Sequence, residues 1–358
     1  MELLRSFLSS FGICRRPRPI ALELSILAKL PPELIIRVAE FLSPVAAASF
    51  SLCCTPVYAL ISARYLKNGQ NHQDFDTSEF FTLLERDLPD HITCWYCKKF
   101  HAIKHVKSHI DLHRSYRYYH DDPVPSCWNS GDATQIWLYV GSDFSITAFQ
   151  MLMKRYRQGA DCSSLLALLS ENRRTLHYRD YNQKFISLSR IVDGTLLRRK
   201  QIVFLMHPPV DVPFPPYPGF VICPHFGYAR REARGRIGGI IRRRLANWDK
   251  PDSCEAGGDL TQCQFCATEF RIDFKDFGED GIAMFFTMWQ NFGEGRCSRD
   301  HLLRSHISGK DGPTRKRVYF PAGSICAAFE GGENFEFDSL MNMKAVVNNP
   351  YRLWFQEQ

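Results

Sequence analysis

The sequence predicts an α+β fold: a small three-helix N-terminal module followed by a mixed α+β domain with antiparallel hairpins. Three observations predict it. Residues 29–66 place apolar side chains at helical spacing between prolines. Four later runs are rich in β-branched and aromatic residues and are bounded by Gly, Pro or Asp. No unit of roughly 20 to 50 residues recurs, which excludes propellers and leucine-rich solenoids.

With 358 residues, 45% hydrophobic and 13% aromatic, the chain has enough apolar surface to bury a sizeable core. Charged or polar residues break every apolar stretch before the roughly 18 to 20 residues that a membrane span requires, so no membrane partner is expected. At the start, MELLRSFLSSFGICRRPRP carries Glu2 and Arg5 early and Arg15, Arg16 and Arg18 after its apolar part, the reverse of a secretory signal. A mitochondrial presequence is the competing reading of this Arg-rich stretch, and Glu2 counts against it. The 13 cysteines are odd in number and include two C-x-x-C pairs, a usage of reduced thiols and metal ligands that fits cytoplasm or nucleus. The net charge of +7, from 45 Lys+Arg against 38 Asp+Glu, is too modest to imply a nucleic-acid partner by itself.

Residues 1–28 read as a loose extension, because Pro17 and Pro19 flank Arg18 and oppose a continuous helix. In LPPELIIRVAEFLSP, Pro31 and Pro32 suit a helix start, and Glu33 puts a carboxylate in the first turn. Leu34, Ile35, Val38, Phe41 and Leu42 then form one apolar stripe until Pro44 ends the helix. Further helices are expected over 45–53 and 56–66, the last with Tyr58, Ile61 and Tyr65 on one face. Such a module, residues 29–66, buries too little surface to stand alone and should lean on a partner or on the rest of the chain. Residues 67–77, with Asn68-Gly69, read as a linker, and a helix resumes over 78–88. Within the domain spanning 78–358, FISLSRIV, QIVFLM, EFRIDF and IAMFFTMW are the strands, the last two joined by a hairpin turning at 276–281.

The order Leu30-Pro31, Glu33-Leu34, Val38, Phe41-Leu42, Pro44, Phe50, Leu52 and Cys54 resembles the F-box, with Ala46-Ala47 where family members often carry Asp-Leu. LLERDLPDHITCWYCKKFH, RIVDGTLLRR, CPHFG and CQFCATEFRIDF extend the resemblance to a group of fungal F-box proteins with C-terminal C-x-x-C pairs, over most of the chain. The resemblance implies a non-catalytic substrate receptor of a ubiquitin ligase, docking on a Skp-type adaptor and through it a cullin. By position, Leu30, Pro31, Leu34, Ile35, Val38 and Leu42 would touch the adaptor, and an apolar stripe on so small a module has the character of a helix-in-groove partner surface. The attached domain would capture a protein substrate.

Cys94-x-x-Cys97 and Cys263-x-x-Cys266 have the spacing of zinc knuckles, and His101, Cys223 and His225 add candidate ligands. Two arrangements satisfy this pattern: one site built from Cys94, Cys97, Cys263 and Cys266, or Cys263 and Cys266 joined to Cys223 and His225 with the first pair separate. A thiolate-rich closed set would hold a structural zinc. Buried free thiols packed as small apolar residues are the bland alternative. Cys254 lies in a Gly-rich loop and is a weaker ligand; His109, Asp111 and His113 spell H-x-D-x-H on a charged stretch that reads as surface.

Arg230, Arg231, Arg234, Arg236, Arg242, Arg243 and Arg244 face only Glu232, a positive cluster that would suit phosphates or an acidic substrate motif, or simply a solvated helix face. A zinc-stabilised module binding nucleic acid through this patch is the rival to the ubiquitin-ligase reading. No phosphate-loop glycine pattern, H-E-x-x-H or G-x-S-x-G occurs, so the sequence carries none of these enzyme signatures. Trp248, Trp289 and Trp354 read as core or as a groove lining.

Overall fold

The computed structural model describes residues 29–67, 75–97, 99–115, 139–141, 144–170, 172–177, 181–206, 221–227, 237–241, 243, 260–296, 300–307, 316–332 and 340. The expected extension at 1–28 and residues 68–74 of the expected linker lie outside them. The fold is a mixture of helix and sheet, in two compact units: Met1–Thr93 with Lys98–His101, and Cys94–Cys97 with Ala102–Gln358. Among the described residues no helix is long and apolar enough to cross a membrane.

The first unit carries α1 (Pro32–Phe41), α2 (Pro44–Ser51), α3 (Thr55–Ser62) and α4 (Thr77–Arg86). The first three each open with a proline in the first turn, where the missing N–H has no intrahelical acceptor to lose. Leu42 turns extended before Ser43-Pro44, which stops α1, and the Ser43 hydroxyl accepts the Ala46 N–H at 3.2 Å to cap α2. Ile35 and Ala39 of α1, Ala47 of α2, and Val57 and Ile61 of α3 bury one another. The opposite side of α2, through Val45 and Ala48, packs against Phe80, Leu83 and Leu84 of α4. The support that the three short helices require therefore comes in part from α4, a helix the sequence placed beyond the linker. β1 (His91–Thr93) and β2 (Phe100–Ala102) pair as a small hairpin, and Phe100 packs edge-on against Phe81 of α4.

In the second unit, α5 (Val106–Ser115), α6 (Ile146–Arg157) and α7 (Ser163–Leu168) precede a long antiparallel sheet. Its strands are β3 (Asn172–His177), β4 (Tyr181–Val192), β5 (Thr195–Met206), β8 (Thr261–Gln262), β9 (Thr268–Asp276) and β10 (Ile282–Asn291), in the order β3-β4-β5-β10-β9-β8. Between β5 and β8 the chain forms a separate hairpin, β6 (Val221–Cys223) with β7 (Phe226–Gly227). The β9–β10 hairpin turns where the sequence predicts, pairing Asp276 with Ile282 and closing through the Phe277 N–H to the Gly281 carbonyl at 2.9 Å. The β4–β5 hairpin turns on Asp193-Gly194 alone, with φ of 46° and 76°. That left-handed pair is the two-residue turn whose twist matches the strands, and Asp-Gly adopts it readily.

Period-two alternation sorts the side chains onto two covered faces. One face carries Phe270, Ile272, Met284, Phe286, Met288, Ile202 and Phe204, packed with Cys223, Cys263 and Cys266. On the other, Leu197 and Trp289 meet Ile325, Cys326 and Phe329 of α9 (Ser324–Glu330); α8 (His301–Ser305) lies between β10 and α9 in the chain. Trp289 is thus a core residue, its Nε1–H donating to Glu330 at 2.8 Å; Trp248 and Trp354 lie outside the described residues.

The short helix α9 is clamped to the sheet at both ends by charged side chains. Glu269 of β9, fully buried, accepts the Gly323 N–H at 2.6 Å and the Cys326 N–H at 2.8 Å, where the helix dipole favours an anion. At the far end, Arg199 of β5 pairs with Glu330 at 3.0 Å and Arg190 of β4 donates to the Phe329 carbonyl at 2.6 Å. Burial pushes the Glu269 carboxyl up, although the N–H groups donated to it pull the other way. Glu269→Ala would leave these buried N–H groups without their acceptor. It is expected to cost about 3 kcal/mol of unfolding free energy, read by denaturant titration; a loss well under about 1 kcal/mol would contradict the clamp.

Candidate metal centre

The candidate ligands are positioned by two tight backbone turns. Cys223 ends β6 and His225 stands in the turn before β7, while Cys263 and Cys266 flank the turn between β8 and β9. Across that turn the Cys263 N–H donates to the Thr268 carbonyl at 2.9 Å and the Thr268 N–H to the Cys266 carbonyl at 2.8 Å, folding the C-x-x-C so that both thiols point inward. β6 packs against β9, which brings the two turns together.

The Sγ atoms of Cys223, Cys263 and Cys266 and a ring nitrogen of His225 all lie within 4.8 Å of one another. Tetrahedral bonds of about 2.3 Å to sulfur correspond to ligand edges of roughly 3.8 Å, so a small contraction would close this group on a metal ion. The three cysteines are fully buried among Ile222, Ile237, Ile241 and Phe270, and His225 is half-buried with its ring 5.4 Å from that of Phe265. The Phe226 N–H donates to Cys223 Sγ at 3.3 Å and the Phe265 N–H to Cys263 Sγ at 3.4 Å. Cys266 Sγ lies 3.2 Å from the Thr268 hydroxyl.

Electrostatics set these thiols against one another. Burial pushes Cys223 and Cys266 far above the ordinary thiol range, whereas hydrogen bonds from Cys223 and Cys266 pull Cys263 far below it. Negative charge on these sulfurs is poorly solvated by the apolar surroundings. A divalent ion would neutralise that charge and satisfy the donor set.

A second group, Cys94, Cys97 and His101, surrounds the β1–β2 hairpin, with its ligand atoms also within 4.8 Å of one another. Of the two arrangements that the sequence left open, the structure realises the one that joins Cys263 and Cys266 to Cys223 and His225 and keeps the first pair separate. Both groups have the donors and spacing to hold a metal. His109 and Asp111 fall on α5 two residues apart, which turns them to different sides of a helix; the side chain of His113 and residue Cys254 lie outside the described residues. Of the arginine cluster, Arg243 is described and exposed, while Arg230, Arg231, Arg234, Arg236, Arg242 and Arg244 lie outside the described residues.

The adaptor-contact candidates separate by burial. Leu34, Val38 and Leu42 are 50%, 41% and 37% exposed, Pro31 is exposed and Leu30 half-buried. Ile35, by contrast, is turned into the core of its own module, because it shares a face with Ala39. Phe41, left out of that contact set, is 89% exposed, and Tyr58 and Leu60 on α3 are exposed as well. The signal for Phe41 was present in the stripe spacing.

Compared with protein-family models, curated proteins and solved structures, the chain matches none.

Beside the tetrad sits His306, fully buried, its Nε2–H donating to the Asn291 carbonyl at 2.9 Å. Burial pushes its imidazole down from 6.5 to about 4. Between those values the unfolded chain binds a proton at this histidine that the folded chain refuses. Its contribution to stability is therefore complete above about pH 6.5 and falls away as pH drops toward 4, by about 3 kcal/mol. His306→Gln removes this linkage, so the stability gap between wild type and variant is expected to narrow between pH 7 and 4 in matched unfolding titrations. Parallel curves would contradict it.

Proposed function

We propose that this chain is a non-catalytic substrate receptor of a ubiquitin ligase, whose first unit docks on a Skp-type adaptor, and through it a cullin, by an F-box-like helical module. The observation that carries the reading is the outward apolar face of α1: Leu34, Val38 and Leu42 are exposed and Phe41 is 89% exposed, although Ile35 and Ala39 on the same helix already supply its core contact. An amphipathic helix needs one apolar face to fold, and a second one facing water is a surface that a groove-bearing partner can cover. The order of Leu30-Pro31, Val38, Phe41-Leu42 and Pro44, which resembles the F-box, points to an adaptor as that partner. The second unit would hold the protein substrate, raising the effective concentration of its lysines near a charged ubiquitin without any catalytic residue.

The metal of the Cys223–His225–Cys263–Cys266 tetrad is, on this reading, a structural zinc. Three thiolates and an imidazole are the soft tetrahedral set zinc prefers, and they leave no open position for activating a water. Its work would be to lock the β6–β7 hairpin onto β9.

Co-purification with a Skp-type adaptor tests the docking. Leu34→Ala/Phe41→Ala changes exposed positions, so helicity should be preserved while adaptor binding weakens by about 30-fold or more, since buried anchors typically cost about 1 to 4 kcal/mol each. Undiminished adaptor binding by the double variant would overturn the contact face, and no binding by wild type would overturn the receptor reading.

A further inference from the structure

Each sulfur of the tetrad has a hydrogen-bonding neighbour, but the three are not alike. In a C-x-x-C turn the backbone N–H two residues beyond a cysteine is the natural donor to its sulfur, and Phe265 serves Cys263 in this way at 3.4 Å. The corresponding amide for Cys266 belongs to Thr268, and it is spent on the Cys266 carbonyl at 2.8 Å. What reaches Cys266 Sγ is the Thr268 side-chain hydroxyl, at 3.2 Å. Thr268 is itself fully buried, in register with Gln290 of β10, so its side chain is held by the sheet.

Behind the hydroxyl stands His306, whose Nδ1 lies 3.5 Å from Thr268 Oγ1. The Asn291 carbonyl can only accept, so His306 carries its proton on Nε2 and presents Nδ1 as an acceptor. The ring is fixed from its other side by Phe292, 4.7 Å between centroids, which itself stacks on Phe144 at 4.6 Å. The Thr268 hydroxyl thus sits between Cys266 and an acceptor nitrogen held rigidly in place.

We propose that Thr268 is a positioning residue of the metal centre: its hydroxyl donates to the Cys266 thiolate when metal is bound, and turns its proton to His306 Nδ1 when Cys266 is a thiol. This rests on the reading of the tetrad as a metal centre. A hydroxyl has one proton to give. Toward a thiol, which has an S–H of its own, the hydroxyl accepts and can direct its proton to His306 Nδ1. Toward a metal-bound thiolate, an acceptor only, the hydroxyl turns its proton to sulfur, spreading the negative charge that burial otherwise opposes. Outer donors of this kind typically change metal affinity by about 10- to 100-fold.

The test uses the full chain as wild type, Thr268→Val and Thr268→Ser, with zinc affinity from chelator competition and the sulfur-to-metal charge-transfer band of the cobalt(II)-loaded protein. Valine keeps the shape and removes the proton; serine keeps the proton. Thr268→Val is expected to bind zinc about 10- to 100-fold more weakly and to shift the charge-transfer band to lower energy, while Thr268→Ser restores both. Because a folding defect alone would not move the band of the loaded form, the spectrum separates positioning from general destabilisation. Equal affinity and identical bands for wild type and Thr268→Val would overturn the role of Thr268 alone. Failure of the wild-type tetrad to bind either metal would overturn the metal centre and this proposal with it.

Discussion

Three buried sulfurs within reach of one another are the constraint around which the second unit is organised. A single buried thiol is an ordinary apolar side chain, but Cys223, Cys263 and Cys266 stand together with His225 in a pocket walled by isoleucine and phenylalanine, where negative charge is poorly solvated. The backbone is arranged to meet that charge: amides of Phe226 and Phe265 and the hydroxyl of Thr268 point at the three sulfurs. β6 and β7 are short and pair with each other apart from the main sheet, and on the proposed reading a metal held by the tetrad would tie this hairpin to the start of β9.

The other covered face of the sheet uses a different device. α9 is only seven residues long, too short to be stable through its own hydrogen bonds. Glu269 at its start and Arg190 and Arg199 at its end replace the missing turns with charge-assisted contacts from three strands. Both faces thus set polar groups where a marginal element meets the sheet, with apolar packing around them.

In the first unit the balance is reversed: apolar groups remain outside. α1 carries a wide apolar arc, with Ile35 and Ala39 turned inward and Leu34, Val38 and Phe41 outward, while Glu33, Arg37 and Glu40 share its polar side. Its polar links, such as Glu40 with Arg37 and Arg64 at 3.1 and 3.0 Å, are solvent-exposed and contribute little to stability. Because one part of the stripe is buried and another exposed, a residue in it cannot be assigned a role by spacing alone.

The legible parts of this fold were local. Prolines at 32, 44 and 56 bracket the short helices, and the alternation of EFRIDF and IAMFFTMW around the Asp276–Gly281 turn region gives the β9–β10 hairpin without tertiary information. α6 was not legible, because Ile146 through Lys154 are buried all round and such a run carries no amphipathic contrast. The insertion of β10 beside β5 joins segments far apart in the chain, which periodicity does not encode. For the same reason the two C-x-x-C pairs were recognisable as ligands, whereas the choice of Cys223 and His225 as partners of Cys263 and Cys266 depended on where β6 lands against β9. The most direct measurement of the central claim is X-ray absorption at the zinc edge on a Cys94→Ser/Cys97→Ser variant, which leaves the tetrad as the site observed. The account predicts three sulfur neighbours at about 2.3 Å and one nitrogen at about 2.0 to 2.1 Å; an edge absent from the purified protein, or a shell of oxygen and nitrogen alone, would contradict it.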